Sequence, residues 1–565
     1  MMFCYQCEQS SMGVACQAVG VCGKDETTAT LQDLLIHAVK GIAVYAHHTR
    51  QLGAANPALR VCDPEVDAFT IEALTATLTN VNFNPERLRE LIEDAVAMRE
   101  GARCLYERAA VESGIQPVEF GGPAAWTPAA TMEGLLAQGK TVMLPVRALF
   151  ESKEIANLHE LVLYGLKGVA SYAVHALALG AGDPQSFGKI HEVLCFLTGE
   201  RLSAAELLAM ALSVGELNYR VMEMLDKAHT ETFGDPQPAK VRLGARKGKA
   251  ILVSGHDLHT LYALLEQTEG LGIEVYTHGE MLPAHGYPKL KAFEHLAGNY
   301  GGSWTNQAAE FDAFPGAILM TSNCIQQPKV SYKERIFTAG TVSWPGVEHI
   351  ESHRGGLDFT AVIDEALRAP GFAEDGFAED GTGDEITVGF GHHAVLSVAD
   401  KVVEAVKSGA IRHFFLLGGC DGARSQRSYY TELAQRVPDD CMILTLACGK
   451  YRFNKLAFGE IAGLPRLLDM GQCNDTYSAL RVAVALGKAL DCDVNDLPLS
   501  FVLSWYEQKA IAVVLTLLHL GVKNLRIGPT LPAFLSPGVF ALLQEKYNLK
   551  TITTPEKDLA AMLRN

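Results

Sequence analysis

The sequence predicts a multidomain fold, α plus α/β, in which a helical N-terminal part precedes layers that contain parallel sheets. At 565 residues the chain is too long for a single hydrophobic core. From about residue 28 to residue 230 the apolar residues recur with helical spacing. After residue 248, short β-branched or apolar runs alternate with helical segments, and this alternation is typical of parallel α/β structure.

The helical part contains an internal repeat. Residues 31–54 align without gaps with residues 158–181, and eleven of the twenty-four positions are identical. A similar helical stretch follows each copy. We therefore predict two related helical bundles. Gly53 and Gly180 are the second-last residues of the two copies and are predicted to be helix C-caps.

Two breaks divide the chain. Residues 233–248 are rich in Pro, Gly and basic residues and are predicted to be a linker. Residues 369–385 contain the tandem acidic sequence GFAEDGFAEDG and are predicted to be a solvated loop. The breaks give three predicted domains, residues 1–235, 236–370 and 371–565.

The overall charge limits the possible partners. A formal net charge of -17 disfavours binding to nucleic acid or to an anionic membrane, because both would repel it. The N-terminus shows no secretory pattern, and the most apolar segment, residues 510–520, is too short to cross a bilayer and is predicted to be a buried helix. We expect a soluble, cytoplasmic protein.

Thirteen cysteines are many for a cytoplasmic chain, where disulfides are rare and clustered thiols more often bind metal. Cys4, Cys7, Cys16 and Cys22 form the pattern C-x2-C-x8-C-x5-C in a Gly- and Ser-rich loop. A cubane iron–sulfur cluster tolerates such uneven spacing, whereas zinc more often takes paired CxxC knuckles. The cluster is the first choice and zinc the second.

A second group of metal-binding residue types lies at the ends of predicted strands. In open parallel sheets, sites form beyond the carboxyl ends of the strands. Seven strand-like or loop segments of the C-terminal half each lead to a possible ligand, namely His256, Glu280, Cys324, Cys420, Cys448, Cys473 and Glu507. One such residue would be unremarkable, but seven at equivalent positions predict a shared site. Cys441 begins its strand and should point away.

The mixture of donors has chemical meaning. Thiolates suit iron–sulfur bonding, while imidazole and carboxylate suit harder, oxygen-bridged iron. Together they predict a cluster with a sulfur-rich half and a labile half that exposes iron to a small N–O substrate. No GxGxxG sequence follows a strand, so nicotinamide binding is not expected. Electrons should arrive from another protein through the N-terminal cluster.

The sequence as a whole resembles a known family. It is similar to the hybrid cluster protein (prismane, hydroxylamine reductase) family, in its anaerobic class with the compact N-terminal cysteine spacing. The motifs are MFCYQCEQS, GHDL, THGEMLPAHGYP, TSNC, GGCDGAR, TLACGKYRFNK, GQCNDTYSA and SWYEQKA, and they span nearly the whole chain. The resemblance implies a helical N-terminal domain followed by two Rossmann-like α/β domains.

The resemblance also implies two cofactors. A [4Fe-4S] cluster is expected at Cys4, Cys7, Cys16 and Cys22, and a hybrid [4Fe-2S-2O] cluster at the seven strand-end donors. Cys420 matches the family's persulfide-bearing cysteine, and Lys509 matches its site lysine. The implied catalytic residues are Glu280, His256, Glu507 and Lys509.

The implied reaction is reduction of hydroxylamine to ammonia and water, with nitric oxide as a second substrate. Electrons would come from a ferredoxin-like protein or a dedicated reductase, and a monomer is expected. Three alternatives stay open: a carbon monoxide dehydrogenase-like nickel–iron enzyme, a nitric-oxide sensor or S-nitrosylating protein with the same cluster, and a zinc-stabilised scaffold.

Overall fold

The computed structural model describes residues 2–56, 58–149, 151–353, 356–376 and 385–564. Residues 377–384, which form half of the predicted acidic loop, lie outside the described residues. The prediction of a solvated loop for residues 369–385 therefore stays a prediction for that half.

The N-terminal part is helical, as predicted. Asp25, Asn84 and Ser203 begin three of its long helices, because each side chain accepts a hydrogen bond from a free amide of the first turn. The helices are α1 (Glu26–Ala55), α2 (Pro64–Ala76), α3 (Pro85–Glu112), α4 (Met132–Val142), α5 (Leu144–Arg147), α6 (Lys153–Ala178), α7 (Pro184–Phe196) and α8 (Ala204–Phe233).

The internal repeat corresponds to α1 and α6. Each packs along a second long helix, α1 against α3 and α6 against α8. Gly180 follows the end of α6 with φ +75, so the prediction of a C-cap is confirmed there. At Gly53 it is wrong: this residue lies inside α1, and a Cβ there would clash with the side chain of Val61.

The first α/β part is built around a parallel sheet. Its helices are α9 (Leu258–Thr268), α10 (Pro288–Lys291), α11 (Gln307–Ala313) and α12 (Thr360–Arg368). Its strands are β1 (Ala239–Arg242), β2 (Lys249–Ser254), β3 (Ile273–His278), β4 (Leu296–Asn299), β5 (Ala317–Met320), β6 (Ile336–Ala339), β7 (Glu348–Ile350), β8 (Ser352–His353) and β9 (Gly356–Leu357). Among the described residues, six strands form one sheet in the order β4-β3-β2-β5-β6-β7, and every pairing is parallel.

The second α/β part repeats this arrangement. Its strands are β10 (Glu385–Val388), β11 (His413–Gly419), β12 (Cys441–Leu446), β13 (Glu460–Ile461), β14 (Leu464–Pro465), β15 (Leu467–Asp469), β16 (Leu499–Ser504), β17 (Arg526–Gly528) and β18 (Lys550–Thr551). Its helices are α13 (His392–Leu396), α14 (Ala399–Lys407), α15 (Ser428–Arg436), α16 (Thr476–Leu490), α17 (Gln508–His519), α18 (Pro537–Tyr547) and α19 (Pro555–Met562). In the part of the chain that is described, the parallel sheet has the order β15-β12-β11-β16-β17-β18.

The predicted linker at residues 233–248 differs from the prediction. It contains β1, which pairs antiparallel with β10 and so joins the start of the first α/β part to the second. The central strands of both large sheets are buried apolar runs, as expected when both faces of a parallel sheet are covered.

Among the described helices, α6 alone is long and apolar enough to span a membrane, and 83% of its apolar 18-residue stretch is buried within the protein. A core helix passes the same test, so this is weak evidence for a span. The predicted buried helix at residues 510–520 is confirmed as α17, which packs against α6 and α8.

We expect the contact between α6 and α17 to depend on Gly168. A Cβ at this position would clash with the carbonyl oxygen of Gln508 and would lie 2.8 Å from the Cβ of Ala512. Gly168→Ala should lower the free energy of unfolding by about 1–3 kcal/mol, because the helices would have to separate. Urea denaturation measures this change.

Gly101 offers the matched control, since it lies in α3 with no atom within 4 Å of an added Cβ. Gly101→Ala should stabilise the protein by about 0.5–1 kcal/mol through helix propensity. Equal effects of the two substitutions would contradict this account of the α6–α17 contact.

Candidate metal centre

The structure brings the seven predicted donors together at the carboxyl ends of neighbouring strands. His256, Glu280 and Cys324 follow β2, β3 and β5, which are adjacent in the first sheet. The other four follow four adjacent strands of the second sheet: Cys473 after β15, Cys448 after β12, Cys420 after β11 and Glu507 after β16. All seven side chains belong to buried residues.

A sharp turn precedes four of the donors. The residue immediately before each of them has a positive φ: Gly255, Gly279, Gly419 and Ala447. At Gly419 the turn also requires the absence of a side chain, because a Cβ would clash with the carbonyl oxygen of Ser504. Ala447 has φ 63 and ψ -174, a conformation that costs an alanine on the order of 1–3 kcal/mol. Such strain is typical of functional sites.

Three donors lie within reach of a single metal ion. One ligand atom each of His256, Glu280 and Cys473 lies within 4.8 Å of the other two. The Nε2 atom of His256 is 3.8 Å from Oε2 of Glu280, and the amide of Cys473 donates a hydrogen bond of 2.9 Å to the same oxygen. Donors from the first and second sheets therefore meet in one place.

The remaining donors continue the same buried group. The thiol of Cys420 lies 3.9 Å from Oε1 of Glu507. Burial raises the pKa of the Cys324 thiol well above its usual value, and the charges of Glu507 and Cys420 raise it further. Burial also raises the pKa of Cys448, and the charges of Glu280, Cys324 and Cys420 raise it further. Each of these groups is therefore close enough to act on the others electrostatically.

His256 is oriented so that one ring nitrogen can bind a metal. Its Nδ1 atom lies 3.0 Å from the hydroxyl of Ser322 and 3.1 Å from the carbonyl oxygen of Asn323. A proton on Nδ1 would be donated to that carbonyl, and this leaves the lone pair of Nε2 directed at the site. Burial and the neighbouring Lys509 hold the pKa of His256 well below its usual value, so the ring is neutral and able to act as a ligand.

Lys509 lies inside the site, next to three of its groups. Its Nζ atom is 2.9 Å from Nε2 of His256 and 3.5 Å from Oε1 of Glu507, and it donates a hydrogen bond of 2.7 Å to Oδ1 of Asn323. Burial lowers its pKa, but the charges of Cys473 and Glu507 outweigh burial and hold the pKa above its usual value. Lys509 is therefore a buried cation beside the carboxylate of Glu507.

The donor set fits a bound inorganic group. Oxygen Oε1 of Glu280 is buried and has no hydrogen-bond partner in the described structure. A buried carboxylate oxygen without a partner is costly, and coordination would satisfy it. Burial also raises the pKa of Glu280, although Lys450 and Lys509 oppose this. Sulfur, nitrogen and oxygen donors thus lie around one location, where Oε1 of Glu280 has no hydrogen-bond partner in the described structure.

Gln472 joins the two sheets and was missed by the sequence reasoning. Its Nε2 atom donates to the carbonyl oxygens of His256 at 2.9 Å and of Glu280 at 2.7 Å. Its side chain also accepts a hydrogen bond from the amide of Asp475. Nothing but its place beside Cys473 in the sequence could have indicated it.

Two residues of α6 also reach the site without having been predicted. The ring of His175 stacks on that of His256 with centroids 6.3 Å apart. Tyr172 is fully buried, and its pKa is raised well above the usual value by burial and then by the charge of Cys473. Cys441 starts β12 and packs among apolar residues on the other side, as predicted.

The N-terminal cysteines form a separate group. Cys4 and Cys16 exchange two backbone hydrogen bonds, of 3.1 and 2.8 Å. Burial raises the pKa of Cys7, and the nearby Cys22, Cys4 and Cys16 raise it further. In the part of the chain that is described, no three of these four sulfurs lie within 4.8 Å of one another.

The N-terminal group is attached to the strand-end loops of the second sheet. The carboxylate of Glu8 pairs with Arg427 at 2.9 Å and with Arg424 at 3.0 Å, and its amide donates to the carbonyl oxygen of Tyr506. The ring of Tyr506 stacks on that of Trp304 with centroids 4.7 Å apart. Burial raises the pKa of Tyr506 well above its usual value, and the charges of Cys7, Cys22 and Cys324 raise it further.

The chain belongs to the Prismane/CO dehydrogenase family, whose model matches residues 2–560. It is 52% identical to a hydroxylamine reductase from Geobacter sulfurreducens over 100% of this chain and 99% of that protein. It is 54% identical to a hydroxylamine reductase from Burkholderia ambifaria over 100% and 99% of the two chains.

Solved structures of carbon monoxide dehydrogenases share the fold. Carbon monoxide dehydrogenase IV from Carboxydothermus hydrogenoformans has a TM-score of 0.53 at 15% identity, covering 99% of this chain and 92% of that one. The enzyme from Thermococcus sp. AM4 has a TM-score of 0.54 at 17% identity, covering 99% and 90%. At these identities the likeness concerns the mixed helical and parallel α/β fold.

We expect Gln472→Ala to loosen the junction between the two sheets. The substitution leaves the carbonyl oxygens of His256 and Glu280 without their donor, at a cost of about 1–3 kcal/mol. Urea denaturation should show the loss, and the ratio of bound iron to protein should fall. Gln544→Ala, at an exposed position of α18, is the control and should change neither. Unchanged stability and iron content in Gln472→Ala would contradict the role assigned to this side chain.

Proposed function

We propose that the protein is an iron–sulfur oxidoreductase that reduces hydroxylamine to ammonia and water. The relatives at about half identity over the full length, which are named hydroxylamine reductases, support this activity. The observation that carries the proposal is the meeting of His256, Glu280 and Cys473 within 4.8 Å, next to three further cysteines and Glu507. An electron-transfer cubane would require only thiolates.

The donor groups match the two proposed cofactors. A hybrid [4Fe-2S-2O] cluster would be held by His256, Glu280, Cys324, Cys420, Cys448, Cys473 and Glu507, and a [4Fe-4S] cluster by Cys4, Cys7, Cys16 and Cys22. The hybrid cluster would supply two electrons and an exposed iron to the bound substrate. For Cys420 we propose the persulfide-bearing role of the family.

The protein's own groups manage the protons. Hydroxylamine takes up two electrons and two protons, its N–O bond breaks, and ammonia and water leave. Substrate held beside Glu280 would also be close to His256, Glu507 and Lys509, the buried groups able to donate or accept a proton. Lys509 remains protonated at neutral pH and is placed to stabilise the negative charge that develops on the departing oxygen.

Electrons would enter through the N-terminal cluster. A ferredoxin-like protein or a dedicated reductase is the proposed donor. The buried, stacked rings of Tyr506 and Trp304 lie beside the N-terminal loop, where the amide of Glu8 donates to the carbonyl oxygen of Tyr506. The net charge of -17 fits a cytoplasmic protein that does not bind nucleic acid or membranes, and we propose that it acts as a monomer. The proposed domains are residues 1–235, with duplicated helical bundles, and the Rossmann-like residues 236–370 and 371–565.

A second substrate, nitric oxide, is favoured by an apolar cavity beside the site. Cys420 and Cys473 contribute to its wall together with the apolar side chains of Leu480, Phe501 and Leu517. A small uncharged molecule can enter such a space without the cost of losing hydrogen bonds to water. Turnover with hydroxylamine and with nitric oxide, compared under reduced viologen, would rank the two substrates.

We expect Glu280→Gln to remove most of the activity. The amide keeps the size of the side chain but removes its charge and basicity, so kcat for hydroxylamine should fall by about 10²–10⁴-fold. Ammonia formation with reduced viologen measures this. Glu545→Gln, an exposed residue of α18, should keep full activity. Full turnover by Glu280→Gln would overturn the assignment of this residue.

We expect Cys16→Ser to remove the N-terminal cluster while leaving the second site loaded. Metal analysis should show a loss of about four irons per chain, with no nickel and no zinc in the wild type. Cys104→Ser, at an exposed position, should keep the iron content. One zinc per chain in the wild type, lost in Cys16→Ser, would replace the proposed cluster by a structural zinc site. Nickel in the wild type would favour a carbon monoxide dehydrogenase-like enzyme instead.

A further inference from the structure

The two copies of the internal repeat line one cavity. This cavity, of about 330 Å³, lies between α1 and α6 and reaches Cys4 of the N-terminal group. Aligned positions of the two copies contribute to its wall: Asp33 with Glu160, Ile36 with Leu163, His37 with Tyr164, and Lys40 with Lys167. The two copies of the repeat therefore line the cavity with equivalent residues, among them a carboxylate and a lysine from each copy. The proposed reductase reaction does not use these residues.

The wall of the cavity carries three buried lysines. Lys24, Lys40 and Lys167 are 2%, 8% and 4% exposed, respectively. Their hydrogen-bond partners are uncharged groups. Lys24 donates to Gln32 Oε1 at 2.5 Å and Lys167 to Gln6 Oε1 at 3.1 Å. Lys40 donates to the carbonyl of Leu197 at 3.3 Å and lies 3.4 Å from Nε2 of His159. Within the described residues, none of the three has a carboxylate oxygen within 4 Å of its Nζ atom. Buried cations without an anionic partner are costly.

Arg147 adds a fourth cation. Its guanidinium pairs with the carboxylate of Glu160 and also lies 3.0 Å from Nδ1 of His159, but its Nε atom is buried without a hydrogen-bond partner in the described structure. Asp33 is the other carboxylate of the wall. The wall of the cavity therefore carries four basic side chains and two carboxylates, and the nearby carboxylate of Glu151 also acts on Lys40 and Arg147.

The pKa values of Lys40 and Lys167 are lowered mainly by burial; neighbouring cations add to the shift, and the Glu160 carboxylate opposes it. Burial, followed by the charge of Arg147, lowers the pKa of Lys40 to about 7. Burial, followed by the charge of Lys24, lowers the pKa of Lys167 to about 8. A negative charge inside the cavity would offset both effects, and the orphan Nε atom of Arg147 would gain an acceptor.

We infer that this cavity is a binding site for a small oxyanion of the size and charge of phosphate or sulfate. Lys40 and Lys167, from the equivalent positions of the duplicated helices, would donate to its oxygens together with Arg147. The site is separate from the seven strand-end donors, and the inference does not depend on the proposed reaction. The competing explanation is that the lysines only offset the negative charge of the N-terminal thiolates, in which case no anion binds.

Calorimetric titration of the complete, metal-loaded protein with inorganic phosphate, in a phosphate- and sulfate-free buffer at pH 7, tests the inference. We expect one saturable site per chain. Lys40→Gln and Lys167→Gln should each weaken binding at least ten-fold, because each removes one charged donor. Lys401→Gln, at an exposed position of α14, should bind as the wild type does. Lys40→Arg keeps the charge and should retain binding within a few-fold, which separates loss of charge from misfolding.

Crystals soaked in selenate, a sulfate analogue, locate the anion. The selenium anomalous peak should lie within hydrogen-bond distance of the Nζ atoms of Lys40 and Lys167. The inference is overturned by a wild type that shows no saturable phosphate binding, by wild-type affinity in Lys40→Gln and Lys167→Gln, or by selenium peaks confined to other places.

Discussion

The arrangement of the protein depends on the carboxyl ends of two parallel sheets, where ligand atoms of His256, Glu280 and Cys473 meet within 4.8 Å of one another. Gln472 fixes this relation, because one amide group of the second sheet donates to the backbone of both His256 and Glu280 in the first. The adjacent amide of Cys473 donates to the Glu280 carboxylate. The candidate ligands are therefore held by backbone and side-chain hydrogen bonds that cross the boundary between the two α/β parts.

The helical N-terminal part also packs against this junction. Helix α17, which begins directly after Glu507, packs against α6 and α8 through glycines that allow close approach. From α6, Tyr172 and His175 reach toward the metal centre. The N-terminal cysteine loop is then attached through Glu8 and its two arginines. All parts of the chain thus converge on the strand-end loops.

A simple rule predicts the candidate donors from the sequence alone. Parallel strands end at the same edge of a sheet, so a ligand type after each strand predicts convergence, and the structure brings all seven predicted residues together. The helical region and the buried helix α17 were likewise predictable, because their apolar periodicity is a local property. The strand β1 was not, since it is short and stable only through its pairing with β10.

The supporting residues could not be found in this way. The role of Gln472 depends on carbonyl groups about two hundred residues away in the chain. Gly53 shows the same limit: a glycine near the end of a helix favours a C-cap, but here its missing side chain makes room for Val61. Local patterns indicate which residues carry chemistry, whereas tertiary contacts decide which residues hold them in place.

Iron-edge anomalous diffraction from anaerobically grown crystals tests the central claim most directly. We predict a compact group of iron peaks enclosed by His256, Glu280, Glu507 and the four strand-end cysteines, and a second group at the N-terminal cysteines. A site among the seven donors that contains no iron, or iron bound at one sheet only, would contradict the account.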